Sequence, residues 1–385
     1  MEDHIKRWYT PQRGLLGEWQ EAAWRRALSV EFLERQKGGR ARGEGIRWMV
    51  EALFKEGKDV PEIIVTGIGR DFFYPIATNG HRFSSFLECQ IFRRLEKEDS
   101  FVACAVEALS DEGEIVYIPQ KTVLAKEIIF SKNYTRSQRS FFHRMHIFVG
   151  RGSRVTFVCH TNICKHFVGS LFNFIDLFID GEAEVTWIED RAIAERQFFL
   201  DVIRVNVKTE GVFSLLGGTC GISGVCRRDI KVDLLENDSK GYLRGGGFLC
   251  GDAQEGSHIC IQHKAPRSTS IQHFKYVVDD CSRSSFVGES VILSAAQKSN
   301  ASQLNHNFLL GEASRASGHP VLKVFADDVK ASHGMTFSTL SERELFYLQS
   351  RGIAKEEAKL MFVHGFLRDI FAYDNHNFDI KRCVY

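Results

Sequence analysis

Two stretches of the chain, HIFVGRGSRVTFV at residues 146–158 and DLFIDGEAEVTWI at residues 176–188, share one pattern thirty residues apart. Each is an apolar run, a polar turn with glycine and a second apolar run, and Val155-Thr156 stands in register with Val185-Thr186. Similar runs at a fixed interval are the signature of stacked structural units. Because residues from about 140 to 337 contain almost no proline and show no helical period, these units are predicted to be β-strands.

A second set of repeats recurs at offsets of 44 and 48 residues. Its members are the triplets Ile230-Lys231-Val232, Phe274-Lys275-Tyr276 and Leu322-Lys323-Val324, of which the last two run on into Asp279-Asp280 and Asp327-Asp328. If each offset spans two coils of a stacked structure, one coil has about 22 to 24 residues. The stretch then holds about nine coils, and about 4.8 Å per stacked strand gives a rod of about 40 Å.

Two architectures compete for this stretch, a β-sandwich of hairpins and a parallel β-helix. A sandwich would show two-residue Asn-Gly or Asp-Gly turns between alternating strands, and only Asp180-Gly181 offers one. Stacked coils need only similar runs at similar intervals. We therefore predict a mainly β protein with a parallel β-helix core over residues 136–338.

Both flanks of this core are predicted to contain helices. Residues 1–135 form a mixed N-terminal region, with apolar residues at helical spacing over about 15–36 and again over about 46–55. Residues 339–385 form a C-terminal helical domain, because the period changes from alternating to helical after Ser341.

The helical tail has clear boundary signals. Ser341 and Glu344 have the spacing of a capping box, and Gly352 stands where a first helix would end. The second helix, about 354–371, is apolar nearly all round and so must be covered on more than one side, either by the chain's own core or by a partner. Because the coils bury their own side chains, the tail is expected to be separable from a folded β-helix.

Composition excludes several classes of function. The net charge is 50 − 49 = +1, so no overall field attracts nucleic acid or an anionic membrane. The chain opens without a charged and apolar leader and has no apolar run of 18 residues, so a cytoplasmic protein is expected. Its ten cysteines are scattered without a CxxC pair, which favours free, buried thiols over a disulfide framework. Without a phosphate-binding loop or a G-x-S-x-G motif, the chain is not predicted to be an enzyme.

Five segments carry a resemblance to a known family. They are STSIQHFKYVVDD (268–280), SSFVGESVILSAAQKSNASQLNHNFLLGEA (284–313), ADDVKASHG (326–334), LFYLQSRGI (345–353) and the HGF (364–366) that ends an Ala-containing helix. Over about 257–371 the chain resembles the SufB/SufD family of the SUF iron–sulfur cluster scaffold, and within it the SufD branch. The resemblance implies a right-handed parallel β-helix and agrees with the pattern of runs.

The family resemblance also implies partners and site residues. One β-helix end would face SufB in a heterodimer, and the C-terminal helices would bind the SufC ATPase. The residues expected to contact SufC are Leu345, Phe346, Leu348, Met361, Phe362, Phe366 and Ile370. No cofactor is expected to bind this chain tightly; a nascent iron–sulfur cluster would form at the SufB interface, and ATP would bind to SufC.

His333, in the SHG motif, is the implied cluster-assembly residue and a candidate iron ligand, because a neutral imidazole binds iron well. Without the resemblance, a histidine after a strand is an ordinary cap or surface residue. The sequence departs from the family here: Ala331 replaces the cysteine of many relatives, which excludes a thiol at this position. Gly334 follows the histidine where SufB has an acidic residue, so the SufD reading is preferred.

Two other functions stay open, a polysaccharide-active β-helix enzyme and a purely structural adaptor. The enzyme needs converging carboxylates, for which Asp279, Asp280, Asp327 and Asp328 are candidates. Residues 128–175 contain seven basic and no acidic side chains, which predicts either a solvated face of the first coils or contact with an acidic partner.

Overall fold

The computed structural model describes residues 22–23, 25, 58–59, 62–66, 72–75, 98, 100–110, 113–134, 139–163, 167–193 and 197–371. In this part of the chain the first strands and the first helix are β1 (Lys58–Asp59), β2 (Glu62–Thr66), β3 (Phe73–Pro75), α1 (Phe101–Leu109), β4 (Gly113–Ile118), β5 (Ile128–Tyr134), β6 (Arg139–Val149), β7 (Arg154–Ile163), β8 (Gly169–Ile179), β9 (Glu184–Ile193) and β10 (Gln197–Val207). The elements that follow are β11 (Val212–Gly221), β12 (Val225–Leu234), β13 (Lys240–Leu249), β14 (Gln254–His263), β15 (Thr269–Val278), β16 (Arg283–Ile292), β17 (Asn300–Leu309), β18 (Arg315–Val324), β19 (Lys330–Thr339), α2 (Glu342–Ser350) and α3 (Lys355–Phe371).

From β4 onward, successive strands alternate between two sheets. Sheet A has the order β18-β16-β14-β12-β10-β8-β6-β4-β3, and sheet B has the order β19-β17-β15-β13-β11-β9-β7-β5-β2. Pairing between β4 and β18 in sheet A, and between β5 and β19 in sheet B, is parallel throughout. The chain is therefore a parallel β-solenoid of about seven turns, and the β-helix prediction is confirmed.

The length of one turn differs from the prediction. Residues paired on neighbouring turns lie from 27 positions apart, as Phe198 and Val225 do, to 32 apart, as Arg283 and Arg315 do, so the thirty-residue repeat is a single turn. Lys231 lies in sheet A but Lys275 lies in sheet B, so the offset of 44 spans one and a half turns. The prediction of nine coils was wrong, and seven turns at about 4.8 Å give a core about 34 Å long.

Side chains along each strand point alternately into the interior and to the outer face. Polar residues therefore interrupt the apolar runs of the sequence at every second position. The interior contains aromatic stacks that continue from turn to turn. Phe130 and Phe157 have ring centroids 5.7 Å apart, and Phe157 and Trp187 lie 5.9 Å apart. Burying each such ring stabilises the fold by about 2–3 kcal/mol.

The corners that lead from sheet A to sheet B repeat one backbone turn. A non-glycine residue with positive φ occupies each of five successive corners, at Glu182, Glu210, Asp238, Arg267 and Lys298. Polar residues fit these positions because the side chain points into solvent while the backbone closes the turn.

The interior also holds an ionic cluster. Arg191 lies 2.6 Å from Glu189 and 2.7 Å from Asp201, and all three side chains are buried. Burial opposes the charge of Glu189, but Arg191 and Arg228 outweigh it and lower the pKa of this carboxyl to about 2. The Glu189 carboxylate is consequently a fixed ion-pair partner and not a proton donor at neutral pH.

The N-terminal flank joins the solenoid earlier than the boundary expected at residue 136, because β4 and β5 already belong to the two sheets. Helix α1 packs on the outer face of sheet A, where Phe142 and Phe172 stack at 4.6 Å. The helices expected over 15–36 and 46–55 lie almost entirely outside the described residues.

The tail has the predicted helices but is attached to the core. Ser341 is the N-cap of α2, yet its side chain makes no capping hydrogen bond, and Gly352 has the expected positive φ of 85°. Helix α3 lies on the outer face of sheet B and buries Val363, Leu367 and Ile370 against it. The expectation that the tail is separable therefore has a physical obstacle, since its removal would uncover apolar side chains of sheet B.

Candidate functional site

The last turn of the solenoid is open. Strands β18 and β19 pair with β16 and β17 on one side, and no strand covers their other edge in the part of the chain that the structure describes. Unpaired N–H and C=O groups at a strand edge favour pairing with another chain. This open end, formed by residues 315–339, is a candidate protein interface.

His333 lies in the middle of the open end. It pairs in register with Gln303, which is buried, and so stands in an interior column of side chains that β19 exposes. The described residues contain no group of three or more His, Cys, Asp and Glu side chains that could hold a metal ion. His333 can offer one imidazole ligand, and a partner would have to supply the others.

Apolar side chains are exposed in the same last turn as this histidine. Phe325, in the corner after β18, is 63% exposed, and Phe337 on β19 is 47% exposed. Val324 is exposed as well, and Met335 crosses the interior to lie against Gly318. The sequence analysis did not identify Phe325 and Phe337 as interface residues. They could have been found as large apolar residues within the coil that was predicted to be the last.

The residues expected to bind a partner through the tail divide into two sets. Leu345 and Ile370 are buried, and Phe362 and Phe366 are half-buried against sheet B. Leu348 is also half-buried, whereas Phe346 is 70% and Met361 is 51% exposed. Only the exposed set, which also includes Tyr347, is available to another protein without moving α3.

A lysine that the sequence reasoning did not single out holds α3 in place. The Lys275 ammonium donates to the Phe366 carbonyl at 3.1 Å and to the Asp369 carboxylate at 2.8 Å. It also lies 4.8 Å from the centre of the Phe366 ring. Phe366 is therefore a docking residue of the tail and not a free contact for a partner.

The carboxylates of the enzyme alternative do not converge. Asp279 and Asp280 lie in the corner between β15 and β16, whereas Asp327 and Asp328 lie in the opposite corner, between β18 and β19. Asp280 accepts from the Gly251 amide and Asp279 from the Asp280 amide. These aspartates close turns, as such residues commonly do.

The basic stretch forms in part the solvated face that was one of its two predictions, because Arg151 and Arg154 are exposed, but other basic residues of the stretch are buried. Lys132 is inside the solenoid and donates to Asn173 at 3.1 Å, and Arg144 is fully buried. Arg151 pairs with Glu182, and Arg154 pairs with Glu184 on the next turn at 2.7 Å. The charges of Arg151 and Arg154 are thus compensated by residues one turn further along the solenoid.

The cysteines are mostly the free thiols that were expected. Six described cysteines are free, of which four are buried, but Cys220 is disulfide-bonded, so the expectation was wrong for that residue. Burial raises the pKa of Cys226 to about 12 and of Cys250 to about 11. Both thiols stay protonated at neutral pH, which makes them poor metal ligands.

The described residues define a parallel β-solenoid protein whose last turn has unpaired strand edges and exposed apolar side chains. Residues 130–366, more than half of the chain, match the SufBD core domain of SUF-system FeS cluster assembly. The chain belongs to the SufB/SufD family. In the part of the chain that the structure describes, no helix is long and apolar enough to cross a membrane.

Several curated relatives are similar over long stretches. The chain is 24% identical over 331 residues to the iron–sulfur cluster assembly protein SufD of Escherichia coli, covering 83% of this chain and 74% of that protein. It is 26% identical over 318 residues to SufD of Bacillus subtilis, covering 77% and 69%. A SufBD family protein of Synechocystis is 28% identical over 195 residues, which are 51% of this chain and 43% of that protein.

Proposed function

We propose that the chain is a non-catalytic, SufD-type subunit of the SUF scaffold. It pairs with a SufB-type chain through the open end and with a SufC-type ATPase through the exposed face of α2 and α3. In this role it supports iron acquisition and cluster assembly without binding ATP or a resident cofactor. Two relatives that align with more than three quarters of this chain are both named SufD, which supports this branch of the family over SufB.

The observation that carries the proposal is the combination of unpaired edges and exposed aromatic residues in the last turn. A partner solenoid that presents the same kind of edge can continue both sheets, and Phe325 and Phe337 then become buried at the junction. His333 would lie at the junction, where a partner thiolate or carboxylate can complete the coordination of iron.

The experiment is co-expression of the full chain with its SUF partners and purification through a tag on this chain. Phe325→Asp and Phe337→Asp place a charge at the proposed junction. Ile222→Asp is the matched control, because Ile222 is 53% exposed in the corner between β11 and β12, far along the sheets from the last turn. We measure the yield of the SufB-type chain, iron, and acid-labile sulfide.

The expected result is loss of the SufB-type chain and of the cluster in the two junction variants and wild-type amounts of both in Ile222→Asp. If the junction variants retain the partner at wild-type yield, the proposed interface is wrong. If the complex forms normally but never contains iron or sulfide, the chain is a structural adaptor. ATP hydrolysis by the purified chain alone would contradict the non-catalytic role.

A further inference from the structure

The interior column that ends at His333 contains two glutamines. Gln272 of β15, Gln303 of β17 and His333 of β19 are paired in register on successive turns of sheet B. Gln272 is 0% and Gln303 is 1% exposed, whereas His333 is exposed at the open end. Strands of neighbouring turns lie about 4.8 Å apart, so polar groups of one column are within reach of each other.

Gln272 is anchored at the far side of the interior. Its Nε2 atom donates to the Glu289 carbonyl at 3.0 Å and to the Ser290 hydroxyl at 3.2 Å, and both residues belong to β16. These two bonds use both amide hydrogens, so the Oε1 atom of Gln272 remains as an acceptor. That atom is buried and has no hydrogen-bond partner among the residues that the structure describes.

Gln303 crosses the interior to the same strand. A Cβ on Gly288 would collide with the Nε2 atom of Gln303, so the glycine leaves the room that this amide occupies. Both Nε2 and Oε1 of Gln303 are buried, and within the described part of the chain neither has a hydrogen-bond partner. Leaving buried amide atoms unpaired destabilises a fold, so each atom favours the nearest complementary group.

The column offers one complementary group to each polar atom of Gln303. On the inner side, the Oε1 acceptor of Gln272 matches the Nε2 donor of Gln303, as in a ladder of stacked glutamines. On the outer side, the Oε1 acceptor of Gln303 meets the imidazole of His333, which has one N–H when it is neutral. The two bonds from Gln272 to β16 thus set the direction of the whole ladder.

We propose that Gln303 is the positioning residue of His333. Its Oε1 atom accepts the imidazole N–H and turns the other ring nitrogen, with its lone pair, toward the open end. The inference rests on the proposed function, in which that nitrogen is a ligand at the junction. Histidines that bind metals ordinarily donate their second ring N–H to an oxygen, which fixes the tautomer and the orientation of the ring. Gln303 supplies this oxygen from inside the solenoid.

The contact is tested first in the full-length chain without partners. Long-range ¹H–¹⁵N spectra of the ¹⁵N-histidine-labelled chain at about pH 8, where an imidazole is ordinarily neutral, show which ring nitrogen carries the proton. The signals of His333 are those that disappear in His333→Ala. Gln303→Met keeps the length of the side chain and removes both polar groups.

Two further variants make the test specific. Gly288→Ala is the second test variant, because its Cβ would take the position of the Gln303 amide, and it serves if Gln303→Met does not fold. Asn307→Leu is the matched control, since Asn307 is also a buried amide on β17 but is paired in register with Phe337 and not with His333.

We expect a single tautomer of His333 in wild type and in Asn307→Leu, and the averaged shifts of a mixture in Gln303→Met and Gly288→Ala. In complexes purified with the SUF partners, Gln303→Met should lower iron and acid-labile sulfide per complex about tenfold, while the yield of the complex is kept. The proposal is overturned if both test variants keep the wild-type tautomer or if Asn307→Leu changes it as much.

Failure of this contact and failure of the proposed function give different results. A wild-type complex without iron or sulfide refutes the cluster role, whereas a single tautomer that Gln303→Met converts to a mixture still supports the contact. If the tautomers are mixed in Gln303→Met but its complexes contain as much iron as wild type, the positioning role is overturned.

Discussion

At the scale of the residue, His333 is exposed at the open end and is not part of the packed core. His333→Ala should therefore change the free energy of unfolding by less than about 1 kcal/mol. If the imidazole is a ligand at the junction, iron and sulfide per complex should fall sharply while the yield of the complex is kept, because one side chain other than an aromatic or an arginine rarely decides assembly. Equal cluster content in variant and wild type would show that His333 is an ordinary surface residue.

His263 gives the fold a pH dependence. Its two ring nitrogens lie 2.7 and 2.8 Å from the hydroxyls of Ser268 and Ser270, and burial lowers its pKa to about 4. The unfolded pKa is about 6.5, so this residue costs no stability above that pH and destabilises the fold progressively as pH falls toward 4. Between about pH 7.5 and about pH 5 the loss should be about 2 kcal/mol.

The matched variant for this prediction is His263→Gln, which keeps hydrogen-bonding groups but does not titrate. Urea unfolding of both proteins at the two pH values should show a stability loss that is about 2 kcal/mol smaller in the variant. If the free energy of unfolding changes with pH by the same amount in wild type and variant, His263 is not the source of the pH dependence.

At the scale of the element, α3 should contribute strongly to stability. Leu367 is completely buried between α3 and sheet B, so Leu367→Ala should lower the free energy of unfolding by about 2–5 kcal/mol. Met361→Ala, on the exposed side of the same helix, should stay within about 0.5 kcal/mol of wild type. Similar values for the two variants would show that α3 is not docked in solution.

Substitutions on the exposed side of the tail should affect partner binding and not stability. Phe346→Ala combined with Met361→Ala should reduce pull-down of the SufC-type ATPase and leave urea unfolding unchanged, because both side chains are mostly exposed in the chain alone. If both the pull-down and the stability are unchanged, the ATPase binds another surface of the chain.

At the scale of the whole molecule, the sequence predicts the solenoid but not its pitch. The thirty-residue match of 146–158 with 176–188 is a true turn. The triplets at Lys231, Lys275 and Lys323 led to a wrong turn length. Strands of both sheets have the same alternation of inner and outer side chains, so the sequence pattern does not distinguish an offset of one and a half turns from an offset of whole turns. Burial of the tail on sheet B was equally hidden, since a helix that is apolar all round does not reveal which side faces the core.

The register offers a test at this scale. Thr269 pairs directly with Lys240, so deleting residues 240–268 removes one whole turn and rejoins the chain in register. Deleting Phe274, in the middle of β15, in addition to residues 240–268 shifts the rest of that strand, residues 275–278, by one position and turns its interior side chains outward. The first protein should keep β-type circular dichroism with reduced stability, and the second should be insoluble; equal behaviour of the two would contradict the pairing register of β15.

The pairing register of each strand consequently acts on the molecule as a reading frame acts on a gene. Insertions at the corners change only a loop, and insertions or losses of a full turn lengthen or shorten the rod while the same two sheets continue on either side. A one-residue change within a strand is a frameshift, which turns the side chains of the rest of that strand to the opposite face until the next corner absorbs the difference.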